Sequence, residues 1–359
     1  MFRITMLPAE DGDSLLVETG EDAAPHRILI DGGRKRTSTQ ILPRLFASLR
    51  PQSDPLIDVL VLTHIDADHI EGFLSLREAI PSLKVGDVWF NGGPQMETVA
   101  GLRPTVPSGV STLGVAQAVD FGSLIAEAGW RWNARFAGAP IEVKPNGPLP
   151  RVALPSGAEL TLLGPSHAKL YAFRRAWKTE FTRSLAEQVG TLRGGPRPIP
   201  RPGTVEEIAK LRDAADTAGP NGTSIAFIID YRGKRALFAA DAHPDDLAGS
   251  LTRYLPGDGP ARFEAVKVAH HGSAANNTSQ LIGRLEAPLW LVSSSGARHG
   301  HPDPEAIARI VLAGGEGKRV VFNYRSAFND VWNSPELVAQ YRYRPEYGDG
   351  ESPVIVDLL

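Results

Sequence analysis

The chain has 359 residues, 42% hydrophobic and 22% charged, with 38 basic against 41 acidic side chains and a formal charge of −3. That length leaves ample chain for a core, and near-neutrality excludes the broad basic footprint of a protein that coats nucleic acid or an anionic membrane. Cysteine is absent, which excludes disulfides, thiolate metal sites and cysteine nucleophiles, so any metal must be held by His and carboxylate.

Residues 1–11 lack the basic stretch and sustained apolar run of a secretory signal. No window approaches eighteen apolar residues, so no membrane-spanning helix is expected and a cytoplasmic, soluble protein is the reading. Short β-branched runs at 14–18 and 27–30 predict strands, and 57–63 predicts a buried strand. After it, Ile70, Phe73 and Leu74 follow helical spacing. Residues 92–150 are rich in Gly, Pro and small side chains with weak periodicity, and read as a first insertion. Residues 166–220 read as a second. Within it, 169–201 holds eight Lys/Arg against two acidic residues, with Tyr171, Phe173 and Trp177 among them. A Pro/Gly-rich linker at 194–202 follows, and Thr204 to Glu207 fits a capping box at the start of a short helix. Further strands are expected at 224–229, 236–240, 265–268, 289–293, 319–322 and 354–358, with a helix at 304–310. Strands interleaved with helices indicate α/β layering.

Nine histidines are present, and those at 64, 69, 243, 270, 271, 299 and 301 gather beside strand ends. The densest group is Thr63-His64-Ile65-Asp66-Ala67-Asp68-His69. It sets two imidazoles and two carboxylates straight after a buried strand, where α/β sheets commonly place their sites. Such donors suit Zn²⁺ or Mn²⁺, and also Fe. His270 and His271 are neighbours at a strand end, where alternation points their side chains to different faces. One can therefore bind metal while the other faces substrate; His271 is assigned to metal and His270 to substrate or acid duty, with the reverse assignment left open. His301, held extended before Pro302, is expected to be a last ligand. His299 is expected on the rim, His243 as a bystander, and His26 and His167 as ordinary loop residues.

The segment His-x-Asp-x-Asp-His resembles the His-x-His-x-Asp-His motif of the metallo-β-lactamase superfamily. The Asp66 variant is similar to the branch typified by the hydrolase domain of ComEC/Rec2-type competence proteins. The resemblance continues through Glu10-Asp11-Gly12-Asp13-Ser14, Ile28-Leu29-Ile30-Asp31-Gly32-Gly33 and Asn221-Gly222-Thr223-Ser224-Ile225. It extends through Phe238-Ala239-Ala240-Asp241, Val268-Ala269-His270-His271-Gly272-Ser273 and Gly300-His301-Pro302-Asp303-Pro304-Glu305. Both insertions lie outside these segments. The Gln usual before the first Gly-Asp is absent, and so is a histidine that the superfamily normally supplies near 221–224.

The resemblance implies a four-layer αβ/βα sandwich: one domain over 1–359, with a first half of about 1–165 and a second of about 221–359. It also implies that Asp241 bridges two divalent ions. The expected arrangement gives His64, Asp66 and His271 to one ion, and Asp68, His69 and His301 to the other, with His270 and Asp68 in catalysis and Ser273 and His299 at the substrate. Two ions sharing a bridging water lower its pKa toward neutrality, so the expected activity is a metallo-hydrolase. In the branch it resembles, phosphodiester cleavage in nucleic acid or nucleotides is the usual substrate chemistry. Lactone, lactam or thioester hydrolysis has less support. A second reading stays open, in which the chain is a non-catalytic or partner-activated part of a larger assembly and the insertions dock a protein partner.

Overall fold

Along the strands, alternate side chains enter two different cores. Leu15 and Val17, Ile28 and Ile30, and Val59 and Val61 face one core, while Leu16, Leu29, Leu60 and Leu62 between them face another. A period of two with both faces apolar is what a sheet covered on both sides requires. The computed structural model describes residues 1–49, 54–99, 113–174, 203–257 and 259–359.

The first sheet contains β1 (Phe2–Met6), β2 (Leu15–Glu21), β3 (Ala24–Ile30), β4 (Ile57–Val61) and β5 (Val85–Trp89) in that spatial order, with β16 (Val354–Asp357) beside β1. Its β3, β4 and β5 run parallel. The second sheet contains β6 (Arg151–Ala153), β7 (Glu159–Leu162), β8 (Phe227–Tyr231) and β9 (Lys234–Phe238), then β11 (Ala265–Lys267), β13 (Leu289–Val292), β14 (Arg319–Phe322) and β15 (Arg344–Tyr347). From β9 to β15 its strands are parallel. A small ladder pairs β10 (Ala261–Arg262) with β12 (Leu285–Glu286).

The sheets meet through a core that draws on both halves of the chain, from Phe2 and Ile4 to Leu160, Phe227, Leu237 and Val356. Helices Leu42–Ser48, Ala67–Leu74 and Leu113–Ala128 cover the outer face of the first sheet. Helices Pro244–Tyr254 and Pro304–Leu312 pack on the second. This is the expected α/β sandwich of four layers. Among the described residues no helix is long and apolar enough to cross a membrane.

The first insertion differs from its expectation. Far from lacking periodic structure, it contains Gly93–Val99 and the 16-residue helix Leu113–Ala128. Phe121 of that helix stacks on Phe73 with ring centroids 5.6 Å apart, closing the outer layer over the metal-motif helix. Gly114, Ala116, Ala118, Gly122 and Ala126 dilute the apolar period, which is why the sequence conceals it. In the second insertion, the chain is helical over 167–174. The rest of the basic segment 169–201, with Trp177, and the linker at 194–202 lie outside the described residues. The capping box is present, since Glu207 N–H donates to Thr204 Oγ1 and Thr204 N–H to Glu207 Oε2.

Helix Ala67–Leu74 lies backbone-to-backbone on the turn after β3. Gly32 N–H donates to His69 O and Gly72 N–H to Gly33 O, both at 2.8 Å. A Cβ on Gly72 would run into the Gly32 carbonyl. Gly72→Ala is therefore expected to cost about 1–3 kcal/mol through overpacking, read from the urea midpoint. An unchanged midpoint would show that this contact does not fix the helix.

Candidate metal centre

Donor side chains hang from the C-terminal ends of parallel strands in both sheets. Asp31 follows β3, the 63–69 segment follows β4, Asp241 follows β9, and His270 and His271 follow β11. Several of these loops hold non-glycine residues in the left-handed region: Asp31 (φ 57°), Ala240 (φ 48°), His270 (φ 43°) and His271 (φ 53°). Left-handed L-residues cost about 1–2 kcal/mol each and persist where surrounding contacts over-determine them, commonly at functional sites.

The centre is organised on one oxygen. Asp241 Oδ2 has His69 Nε2 at 3.4 Å, His270 Nε2 at 3.5 Å, and the Nε2 atoms of His64 and His271 at 3.7 Å. Asp68 Oδ2 lies 3.2 Å from His271 Nε2 and 3.8 Å from His69 Nε2, and Asp66 Oδ2 lies 3.6 Å from His64 Nε2. The Nε2 atoms of His64, His69 and His271, together with Asp241 Oδ1, are buried without a hydrogen-bond partner. Buried polar atoms left unmatched are costly, and lone pairs converging at these separations fit a divalent cation. Two overlapping donor groups result, His64–His69–Asp241 and Asp68–His69–His271, with a third formed by Asp13, Asp31 and His69.

This placement departs from the expected one. Strand alternation would send His270 and His271 to different faces. Instead Ala269–Gly272 is a turn with both histidines left-handed, and both imidazoles face Asp241. Four imidazoles thus surround Asp241 although 221–224 supplies none. His271 groups with Asp68 and His69 rather than with His64 and Asp66. His301 lies outside the tight donor groups, with its ring 5.4 Å from that of His270 and its Nδ1 3.6 Å from Asp303. His299 is exposed on the rim, Nε2 4.0 Å from Asp11 Oδ2. Ser273 is buried, and its N–H donates to His270 O while its carbonyl accepts from Asn277. His243 is the N-cap residue of helix Pro244–Tyr254. Its ring lies against Lys169 Nζ and Ala218 O, with Nε2 3.9 Å from Asp216 Oδ2, and belongs to none of the donor groups. His26 sits buried in β3 rather than in a loop, and His167 pairs with Glu142.

Groups behind the imidazoles fix their orientation. Asp31 accepts from Thr63 N–H and Thr63 Oγ1–H and, at 2.8 Å, from His69 Nδ1–H. His271 Nδ1–H donates to Ser293 O at 3.0 Å. His270 Nδ1–H donates to Asn276 Oδ1 at 2.8 Å. In the neutral imidazole each assignment puts the proton on Nδ1, so that Nε2 offers its lone pair toward Asp241 once its own proton is displaced. Below, fully buried Lys267 donates to Asp13 Oδ2 at 2.7 Å, and Asp13 Oδ1 lies 3.4 Å from His271 Nδ1. Asp13, Asp31 and Asn276 thus serve the centre; the first two stand in motif segments that assigned them no role, and Asn276 lies just beyond one.

The field of the site is anionic. Burial pushes the Asp68 and Asp241 carboxyls up, but the neighbouring imidazoles hold both well below the carboxylate range. Burial opposes protonation of His271, yet Asp241 and Asp13 bring it up to about 10. His69, also opposed by burial, is raised well above the usual imidazole value by Asp241, Asp31 and Asp68. A cation in the centre would take over the role of those protons. Asp31→Asn removes the charged acceptor behind His69, and is expected to weaken Zn²⁺ or Mn²⁺ binding by about 10–100-fold. Competition against a chromogenic chelator checks this, and an unchanged affinity would show that Asp31 does not support a ligand.

No protein-family model and no curated protein sequence matches the chain. Among solved structures, it is similar to Zn²⁺-bound PqqB from Methylobacterium extorquens, with TM-score 0.42 and 15% identity over 99% of this chain and 100% of that one. It is also similar to the metallo-β-lactamase fold protein YhfI from Bacillus subtilis, with TM-score 0.38 and 10% identity over 99% and 100% of the two chains. A third similarity is to CmlA, a diiron β-hydroxylase from Streptomyces venezuelae, with TM-score 0.39 and 15% identity over 99% of this chain and 54% of that one.

Proposed function

We propose that the protein is a metal-dependent hydrolase holding two divalent ions, Zn²⁺ or Mn²⁺, and acting on phosphodiesters of nucleic acid or nucleotides. The observation that carries this reading is the ring of four imidazole Nε2 atoms within 3.4–3.7 Å of Asp241 Oδ2, flanked by Asp66 and Asp68. His64, Asp66, His270 and Asp241 would hold one ion, and Asp68, His69, His271 and Asp241 the other. Such a pair lowers the pKa of bound water and offsets charge that develops on substrate oxygens.

The donor set is partly enclosed and partly exposed. His64, His69 and His271 are enclosed, whereas the Asp66 side chain is 42% and that of His270 24% exposed. A structural ion would favour a closed shell, and an open position favours catalysis. Half-exposed Arg298, paired with Asp11, and half-exposed Arg212, paired with Asp303 two residues from His301, offer guanidinium groups. They support an anionic substrate, because guanidinium matches phosphate oxygens. His299 is exposed, and His301, whose ring lies 5.4 Å from that of His270, would be within reach of substrate beside it.

The direct experiment is hydrolysis of bis-p-nitrophenyl phosphate with Zn²⁺ or Mn²⁺, beside Asp68→Ala. Metal-dependent turnover lost in the variant is expected. Two bound ions without cleavage of phosphodiester, lactone or thioester probes would overturn the hydrolase reading and favour the assembly component.

A pH dependence follows from the charge of the metal-free centre. The carboxylates around His69 and His271 favour their protonated forms in the metal-free centre, so metal uptake is expected to release protons. Apparent affinity should rise with pH, up to about 10 for His271, by about tenfold per pH unit for each proton released. In the metal-free protein the same protonation adds stability that is complete below the unfolded imidazole value of about 6.5. That stability is lost as pH rises through about 10. Calorimetric titration in buffers of different ionisation enthalpy measures the release, and absence of release would contradict this assignment of protons.

A further inference from the structure

A carboxylate stands behind the Nδ1 atom of three of the four imidazoles. Asp31 touches His69 at 2.8 Å, Asp13 lies 3.4 Å from His271, and Asp216 Oδ2 lies 3.8 Å from His270. The first two belong to segments of the motif set. Asp216 comes from the second insertion, which neither the motif set nor the proposed reaction uses. We infer that Asp216 is a positioning residue that acts through Asn276 to hold His270 with its Nε2 lone pair toward Asp241. This inference rests on the metal-centre reading, because it concerns one of that centre's imidazoles.

The hydrogen bonds allow one orientation. Asn276 is fully buried, and its amide nitrogen faces three acceptors: Asp216 Oδ2 and Asp241 O at 3.0 Å, and Ala242 O at 3.3 Å. Three acceptors around one end require the NH₂ group there, so the carbonyl oxygen of Asn276 must face His270. That oxygen accepts from Nδ1–H at 2.8 Å, a closer contact than the Asn221 amide nitrogen at 3.4 Å, which places the proton on Nδ1 and leaves Nε2 bare in the neutral ring. Asp216 is committed to this network. Its Oδ2 also accepts from Asn221 Nδ2 at 2.7 Å, and its Oδ1 accepts from Ala218 N–H at 2.8 Å. Its carboxyl stays below the usual range although burial raises it, because backbone and amide donors stabilise the anion.

The arm that delivers Asp216 is fastened down. Buried Arg309, on helix Pro304–Leu312, donates to Ala209 O, Leu211 O and Arg212 O of the arm. The same guanidinium donates to Ala274 O and Asn277 O, on either side of Asn276. One side chain therefore locks the arm to the segment that follows His270 and His271. Asp216 N–H donates to Ala275 O at 3.0 Å and completes the seam.

The test uses the full chain carrying Asp216→Ala and Asp216→Asn, with Asp31→Asn as the reference for a carboxylate behind a ligand. Long-range ¹H–¹⁵N correlation of the metal-free protein at alkaline pH reports the His270 tautomer. Titration with Co²⁺ reports affinity and the visible spectrum of the centre. The expected results are an Nδ1–H tautomer for His270 that becomes mixed in Asp216→Ala. Co²⁺ affinity should fall by about 10–100-fold, with a changed absorption envelope. Asp216→Asn keeps an oxygen for the amide donors but loses the charge, and should fall between; because it preserves shape, it carries the test if the alanine variant does not fold. A folded variant with unchanged tautomer, Co²⁺ affinity and spectrum would overturn the inference. If the wild type takes up no Co²⁺, the metal-centre reading fails, while the tautomer of His270 still decides the role of Asp216.

Discussion

Asp241→Asn is expected to remove metal binding and to lower phosphodiester turnover by well over 100-fold. Residues that merely support a ligand typically contribute about 10–100-fold, and Asp241 does more than support. Its Oδ2 is the shared neighbour of four imidazoles, and its Oδ1 is a buried acceptor without a partner. Loss of its charge would leave His69 and His271 with less reason to protonate, so their pKa values should fall in the metal-free variant. Asn is close to Asp in shape, so the fold should survive. Metal content by elemental analysis and turnover of bis-p-nitrophenyl phosphate check both parts. A variant that retains ions and turnover would show that the centre is not organised on Asp241.

The largest effect on stability is expected from Lys267→Ala. Lys267 is 2% exposed and Asp13 is 1% exposed, and they meet at 2.7 Å beneath the histidines. Breaking such a pair from one side leaves a buried charge without compensation, at a cost of about 3–5 kcal/mol. Replacing both partners with apolar groups, in Asp13→Leu with Lys267→Met, should recover much of that loss, because the pair's net contribution is small once desolvation is counted. Chemical denaturation of the two single variants and the double variant forms the cycle that checks this. Equal losses in the single and double variants would show that no unpaired charge is involved. The pair also has an acid limit. Burial raises the Asp13 carboxyl, but Lys267 and His271 hold it well below its unfolded value. Its contribution is therefore present above about pH 3.9 and is lost as pH falls below that.

The sequence shows some of this site and conceals the rest for identifiable reasons. His64, Asp66, Asp68 and His69 are legible because local geometry makes them neighbours, straight after a strand whose apolar run marks it as buried. Asp241, His270 and His271 are legible because each follows an apolar strand, and parallel strands bring their C-terminal ends together. The turn at 269–272 is not legible. Nothing in Ala-His-His-Gly announces two left-handed residues, and strand alternation gives the wrong direction for one imidazole. The supporting carboxylates are concealed by separation along the chain: Asp31 is 38 residues from His69, and Asp13 is 254 from Lys267. Both stand in segments that the resemblance includes, but no periodicity or local spacing tells which histidine or lysine either one meets. The helix Leu113–Ala128 is concealed because its inner face is built partly from Ala and Gly, whose contribution lies in close approach rather than hydrophobic contrast.

The measurement that tests the central claim most directly is the metal content of the purified wild-type protein after equilibration with Zn²⁺ or Mn²⁺ and removal of free ion, with Asp241→Asn treated identically. About two ions per chain are expected in the wild type, in keeping with a two-metal hydrolytic site, and a loss of binding in the variant. A wild-type protein that retains no ion, or a variant that retains as much as the wild type, would contradict that claim.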